Sequence, residues 1–329
     1  MITRAYGCLV GSAIGDAMGM PASFMSPEKI KRIYGRITSF LPPDKEQVPH
    51  GGLAEGEITD DTEESLIVAA VLIEAGRFDQ ELFLEKMKAW AVSNRMLEST
   101  VIGPSTRRFL TALVNGDDMS QVGRLGDTNG GAMRVAPVGI FHHGNVQLAI
   151  DDALASAGLS HGSKPGLAST AAIAAAIAVA VEGDSTPARV MEAALLGAEA
   201  GEAKGYDIPA PSISARIRLA MELVDRRRDQ PVDAIAYTLY QHIGASMKSY
   251  ESIPFSLGAF YASNGDYQTG LLAAINTGDD ADTNGAIVGA LCGAYSGAGQ
   301  INPAWIEKLR QTNTIDFEAI AQQLIARQS

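Results

Sequence analysis

Glycine recurs at every fourth residue near both ends of this chain: Gly7, Gly11, Gly15 and Gly19 in one stretch, Gly285, Gly289, Gly293 and Gly297 in the other. On a helix each set forms a smooth stripe that another backbone can approach unusually closely. Each glycine costs a helix about 1 kcal/mol relative to alanine, so tight packing has to offset the loss. The stripes therefore predict that both chain ends lie in one helical core. Membrane dimers use the same spacing, but here charged flanks and short apolar spans exclude a bilayer.

Between the stripes the periodicity is helical. Segments 61–76, 80–94, 104–116, 168–183, 186–205, 212–228 and 231–247 repeat apolar residues at i, i+3, i+4 and i+7. Only 6% of the residues are aromatic while alanine and glycine abound, a composition suited to closely packed helices. No run alternates as a convincing strand, though residues 33–42 leave room for a few short ones. Thr59 or Asp60 can cap the 61–76 helix, with Glu63 completing a capping box on Asp60. Gly76, Gly116 and Gly183 stand where helix C-termini favour a left-handed residue. The long Pro/Gly-rich stretch 41–57 leads straight into Thr59-Asp60-Asp61-Thr62, which favours a lid. No linker divides the chain, so residues 1–329 read as one compact, multi-helix, all-α domain.

A net charge of −12 and a pI near 4.9 leave no basic surface for non-specific nucleic-acid binding; the run Arg226–Arg228 reads as a solvated helix end. Cys8 and Cys292 are too few for a disulfide scaffold and lie in apolar segments, as buried free thiols do. Asp16 interrupts the small-residue run at the N-terminus, no clear leader cleavage site follows it, and no uncharged apolar run reaches membrane-spanning length. A cytoplasmic protein without a membrane partner is expected, of undetermined oligomeric state.

Two acidic clusters open apolar helices: Ile58-Thr59-Asp60-Asp61-Thr62-Glu63-Glu64 and Gly278-Asp279-Asp280-Ala281-Asp282-Thr283. Carboxylate and hydroxyl oxygens together suit a hard cation such as Mg2+, Mn2+ or Ca2+. Neither cluster has a nearby His or Cys in sequence, which argues against Zn2+. One such cluster alone reads as a helix cap; finding it twice favours ligation. If both face one cleft, their oxygens can hold two ions about 3.5–4 Å apart. The EF-hand frame is absent.

Two further segments stand between the clusters. In one, Asn129-Gly130-Gly131 precedes Met133 and Arg134; it is either a plain turn or a loop whose N–H groups cradle an anion or ribose. In the other, Ser160 and His161 precede an Ala-rich helix, and His161 is either structural or a contact for a sugar or base. His50, His142, His143 and His242 have no carboxylate or Ser partner at an informative spacing. No nucleophile elbow, Walker loop or Rossmann fingerprint occurs.

Taken in order, Gly7–Pro21, Thr59–Thr62, Gly130–Gly139, Ser160–Ser169 and Gly278–Gly297 resemble the ADP-ribosylglycohydrolase family over essentially the whole chain. The resemblance implies an all-α fold with two Mg2+ ions, Mn2+ serving in some members. It implies metal ligation by Thr59, Asp60, Asp61, Asp280, Asp282 and Thr283, while Asp279 falls on a family glycine and is not a ligand. It places Asn129, Gly130, Gly131, Met133 and His161 against ADP-ribose. Ser23 stands where many members carry a Glu or Asp near a metal. Val101 stands where members that act on arginine-linked ADP-ribose tend to carry Asp, and valine cannot pair with a guanidinium.

The expected reaction is hydrolysis of a ribosyl bond in an ADP-ribosylated protein or a small ribosyl compound, with arginine linkage disfavoured. Asp60, Asp61 and Asp282 are the candidates for the base that accepts a proton from water. A nucleoside-like substrate and a non-catalytic, crystallin-like relative are the alternatives.

Overall fold

A computed structural model describes residues 1–326. The chain is α-helical and, among the described residues, has no strand; three isolated bridges are the only extended pairings. Residues 33–42 thus form the end of a helix and an irregular segment rather than strands. No described helix is long and apolar enough to cross a membrane.

Helix α1 (Ile2–Gly19) is followed by α2 (Pro27–Tyr34) and an irregular segment, then by α3 (Asp60–Ala75), α4 (Gln80–Ser93) and α5 (Pro104–Asn115). Two short helices, α6 (Gly130–Met133) and α7 (Ala136–Phe141), precede α8 (Val146–Ala157), α9 (Lys164–Ala180) and α10 (Pro187–Lys204). The chain continues through α11 (Ile213–Asp225), α12 (Val232–Ile243), α13 (Ser249–Ala262), α14 (Tyr267–Ile275) and α15 (Ala281–Ser296), and ends with α16 (Pro303–Thr312) and α17 (Phe317–Ala326). Gly76 and Gly116 close α3 and α5 in the left-handed region, at φ 69° and 77°, where a Cβ would be strained.

The two glycine stripes are each other's partners. A Cβ built on Gly7 would lie 2.5 Å from the Gly293 carbonyl oxygen, one on Gly11 2.6 Å from that of Gly289, and one on Gly15 2.0 Å from that of Gly285. The pairing runs antiparallel, and it ends with Gly19 against Ala281, 2.1 Å from its carbonyl oxygen. Helices α1 and α15 therefore meet backbone to backbone along their length, and the C-terminal end of α1 lies beside the N-terminal end of α15.

A second seam, which the sequence reading did not single out, joins α10 to α9. Gly197, Gly201 and Gly205 abut the backbone of Ala171, Ala168 and Lys164. From Pro165 to Ala180 every residue of α9 is buried, as expected of a helix apolar on all sides. Cys8 and Cys292 are buried free thiols.

Candidate active site

Asp16 is the charge in the middle of the first glycine stripe, and it is wholly buried. The α1–α15 seam faces it toward the start of α3. There its carboxylate accepts from Thr59 N (2.9 Å), Thr59 Oγ1 (2.8 Å), Thr62 N (3.3 Å) and Thr62 Oγ1 (2.5 Å). Thr59 is the N-cap of α3, its Oγ1 accepting from Asp61 N at 3.3 Å. No capping box forms, because Glu63 instead accepts from Trp90 Nε1 at 2.9 Å.

Helix α15 starts differently. Its N-cap Asp280 makes no side-chain cap bond; Ser23 Oγ, from the turn after α1, accepts from Asp282 N at 3.0 Å. Asp280 Oδ2 accepts from Asn129 Nδ2 at 2.6 Å, and Asn129 N donates to Met247 O at 2.9 Å. Thr283 Oγ1, 3.3 Å from Asp61 Oδ2, links the two clusters. Both helix N-termini thus face one buried pocket, which favours negative charge there.

The pocket holds a cavity of about 40 Å³. Asp60, Asp61, Asp280, Asp282 and Thr283 line it together with Asn129, Gly130 and Met133, while Phe24, Val101 and Met247 add apolar surface. Three predicted site residues do not line it. The Thr59 hydroxyl is engaged by Asp16 and the helix cap. Gly131 is packed against α9, where a Cβ would lie 2.3 Å from Thr170 Oγ1. His161 is fully buried behind the loop, paired with Thr128 Oγ1 (3.1 Å) and Ser160 Oγ (2.9 Å). Burial and the nearby Arg134 and Arg108 hold its pKa well below the ordinary value, so it stays a neutral scaffold for Gly130. Asp279 is absent from the lining as expected; at φ 55° its backbone pairs with that of Met25.

A larger cleft of about 400 Å³, beside Tyr6, Ile306 and Phe317, shares no residue with this pocket. Its charged residues Arg310, Asp316 and Glu318 are exposed, so it lacks the buried, converging charge that marks a chemical site.

The carboxylates strain one another electrostatically. Burial pushes the Asp60 and Asp61 carboxyls well above their ordinary range, with Glu64 adding to the first and Asp16 to the second. Burial and Asp282 push Asp280 up to about 8. Asp282 is held below its ordinary range: burial works against this, but His50 and Ser23 outweigh it.

His50 is the main correction to the sequence reading, which found no histidine near either cluster. The 41–57 stretch folds back so that His50 Nε2 lies 2.9 Å from Asp282 Oδ2. Gln47 ties the same stretch down, its Nε2 donating to the carbonyls of Met20, Pro21 and Ser23. His142 also gains a carboxylate, Asp152 at 2.6 Å, far from the pocket in sequence.

Among the described residues no three His, Cys, Asp or Glu side chains close into a ready-made coordination sphere. Even so, Asp61 Oδ1 and Asp282 Oδ1 are buried without any partner. An unpaired buried carboxylate oxygen is costly, and a divalent cation bound by oxygen ligands satisfies it. The donor set therefore fits such a cation.

Asp16 had one sequence signal, a charge within an apolar glycine stripe. Phe24, Thr106, Thr128 and Met247, which also meet the pocket, had none.

Fold and pocket together define an all-α protein in which two Asp/Thr helix N-termini oppose each other across a buried pocket. An uncharacterized protein of Archaeoglobus fulgidus is 34% identical over 96% of this chain and 94% of its own length. The ADP-ribosylarginine hydrolase Tri1 of Pseudomonas putida is 27% identical over 99% of this chain and 79% of its own. The structure of an ADP-ribosylglycohydrolase-related protein complex superimposes with a TM-score of 0.72 at 25% identity, covering 100% of this chain and 99% of that one. With the ADP-ribosylglycohydrolase family model matching residues 1–329, the chain belongs to that family.

Proposed function

We propose that this chain is a divalent-cation-dependent hydrolase of the bond between ribose and its substituent, acting on an ADP-ribosylated protein or a small ribosyl compound. The observation that carries this reading is the meeting of Asp60 and Asp61 with Asp280 and Asp282 in one buried pocket, where two carboxylate oxygens have no partner. Asp60, Asp61, Asp280, Asp282 and Thr283 hold two Mg2+ ions, which Mn2+ can replace. Thr59 joins them only by giving up its hydrogen bond to Asp16. Bound there, the ions supply charge against the ribose hydroxyls and a lowered pKa for water.

The chain's own groups do the rest. Cleavage at the anomeric carbon passes through an oxocarbenium-like state and needs a carboxylate to take the proton of the attacking water. Asp60, Asp61 and Asp282 are the candidates for that role. Asn129, Gly130 and Met133 form the wall for the ribosyl part. Phe24, Val101 and Met247 present no carboxylate to a guanidinium leaving group, so arginine-linked ADP-ribose is a poor substrate despite the name of the Pseudomonas relative. The same apolar surface favours a second reading, hydrolysis of a nucleoside-like metabolite.

The test is a substrate panel with Mg2+ or Mn2+, read as free ADP-ribose, ribose and base. Asp282→Asn and Asp60→Asn abolish turnover while the helical circular dichroism spectrum persists. Full turnover by either variant refutes the site, and efficient cleavage of arginine-linked ADP-ribose refutes the leaving-group assignment. An absence of turnover on every substrate favours a non-catalytic binder.

A further inference from the structure

His50 is 2% exposed; its Nδ1 has no partner, and its Nε2 meets only Asp282. That nitrogen lies 2.9 Å from Asp282 Oδ2 as a buried charge pair. The other oxygen of the same carboxylate is also buried and unpartnered. Adjacent donors around an octahedral ion with bonds of about 2.1 Å stand about 3 Å apart, the spacing seen between this nitrogen and oxygen. The loop is not merely lying over the pocket. Gln47, three residues before His50, is fixed to the backbone of 20–23, and Phe24, the residue after Ser23, stacks on the His50 ring at 6.2 Å between centroids.

We propose that His50 is a nitrogen ligand, shared with Asp282, for one of the divalent cations of this site, and that it biases the site toward Mn2+ over Mg2+. The inference rests on the cation-dependent reading above. Oxygen ligands suit Mg2+ and Mn2+ alike, but Mg2+ is held almost wholly through oxygen, so a single imidazole nitrogen costs Mg2+ more than it costs Mn2+. One nitrogen from a loop distant in sequence thereby changes which ion an oxygen pocket prefers.

Pulsed electron paramagnetic resonance of the native protein loaded with Mn2+ tests this directly, because a coordinated imidazole nitrogen couples to the ion. The expected result is a 14N coupling that changes to the 15N pattern when histidine is 15N-labelled and disappears in His50→Ala. Calorimetry supplies the second measurement: His50→Ala weakens Mn2+ by at least about tenfold and Mg2+ by no more than about threefold. A native Mn2+ signal without nitrogen coupling overturns the assignment, as does equal loss of both metals in His50→Ala. If the native chain binds neither Mn2+ nor Mg2+, the cation-dependent reading falls and this inference falls with it. Metal binding that ignores His50 removes the inference alone.

Discussion

At α3 the Asp/Thr cluster is held from within the core, whereas at α15 the matching cluster is held by loops. Asp16, on the rigid α1–α15 seam, takes four hydrogen bonds from Thr59 and Thr62. Across the pocket, Asp280 is held by Asn129 and Asp282 by Ser23 and His50, all from irregular segments or their edges. One wall is thus anchored by a helix of the core and the other by the connections around it. A rigid wall keeps geometry, and a loop-supported wall lets substrate and ions enter.

The comparison breaks most severely where both walls share a support. Gly15→Ala puts a Cβ about 2.0 Å from the Gly285 carbonyl oxygen, which pries α1 from α15 and costs about 3 kcal/mol. Denaturant unfolding measures the loss, and Gly52→Ala, where a Cβ meets nothing within 4 Å, is the near-silent control. Next in size is ligation itself: Mn2+ or Mg2+ at a hundredfold excess over its dissociation constant stabilises the native chain by about 2.7 kcal/mol, read as a rise in Tm. That gain is missing in Asp282→Asn.

Smaller changes separate the two walls. Asp16→Asn cannot accept every Thr59 and Thr62 donor, and is expected to lose about 2 kcal/mol of stability. Asp280→Asn, by contrast, relieves the buried repulsion from Asp282, keeps an oxygen for Asn129, and leaves stability nearly unchanged while abolishing turnover; unfolding curves beside the substrate assay check the pair. Smallest is the cap comparison. Thr59→Ala and Ser23→Ala each cost about 1 kcal/mol, but only Ser23→Ala, acting on the α15 wall, weakens metal binding in calorimetry.

Residues close in sequence carried most of what could be read without coordinates. The fourfold glycine spacing, the apolar periodicity and the Asp/Thr clusters all repeat within one or two helical turns, so chain geometry alone places their side chains on one face. That logic marked helices to within a few residues of their ends: 61–76 is Asp60–Ala75, and 80–94 is Gln80–Ser93. It erred where a side chain had a competing long-range partner. Glu63 took Trp90 instead of the helix cap.

By itself, the sequence determined an all-α chain with two seam-forming ends and two acidic helix starts, because these depend on residue type at local spacing. Only the tertiary structure decided that the stripes are antiparallel partners, that Asp16 anchors one wall, and that His50 reaches Asp282. Those pairings join residues 43 to 286 positions apart, from Asp16 with Thr59 to Gly7 with Gly293. Nothing in local periodicity encodes them. The stripes pair because small residues let two helix backbones touch, and the other two contacts follow from which helix starts and loops that packing brings to the pocket.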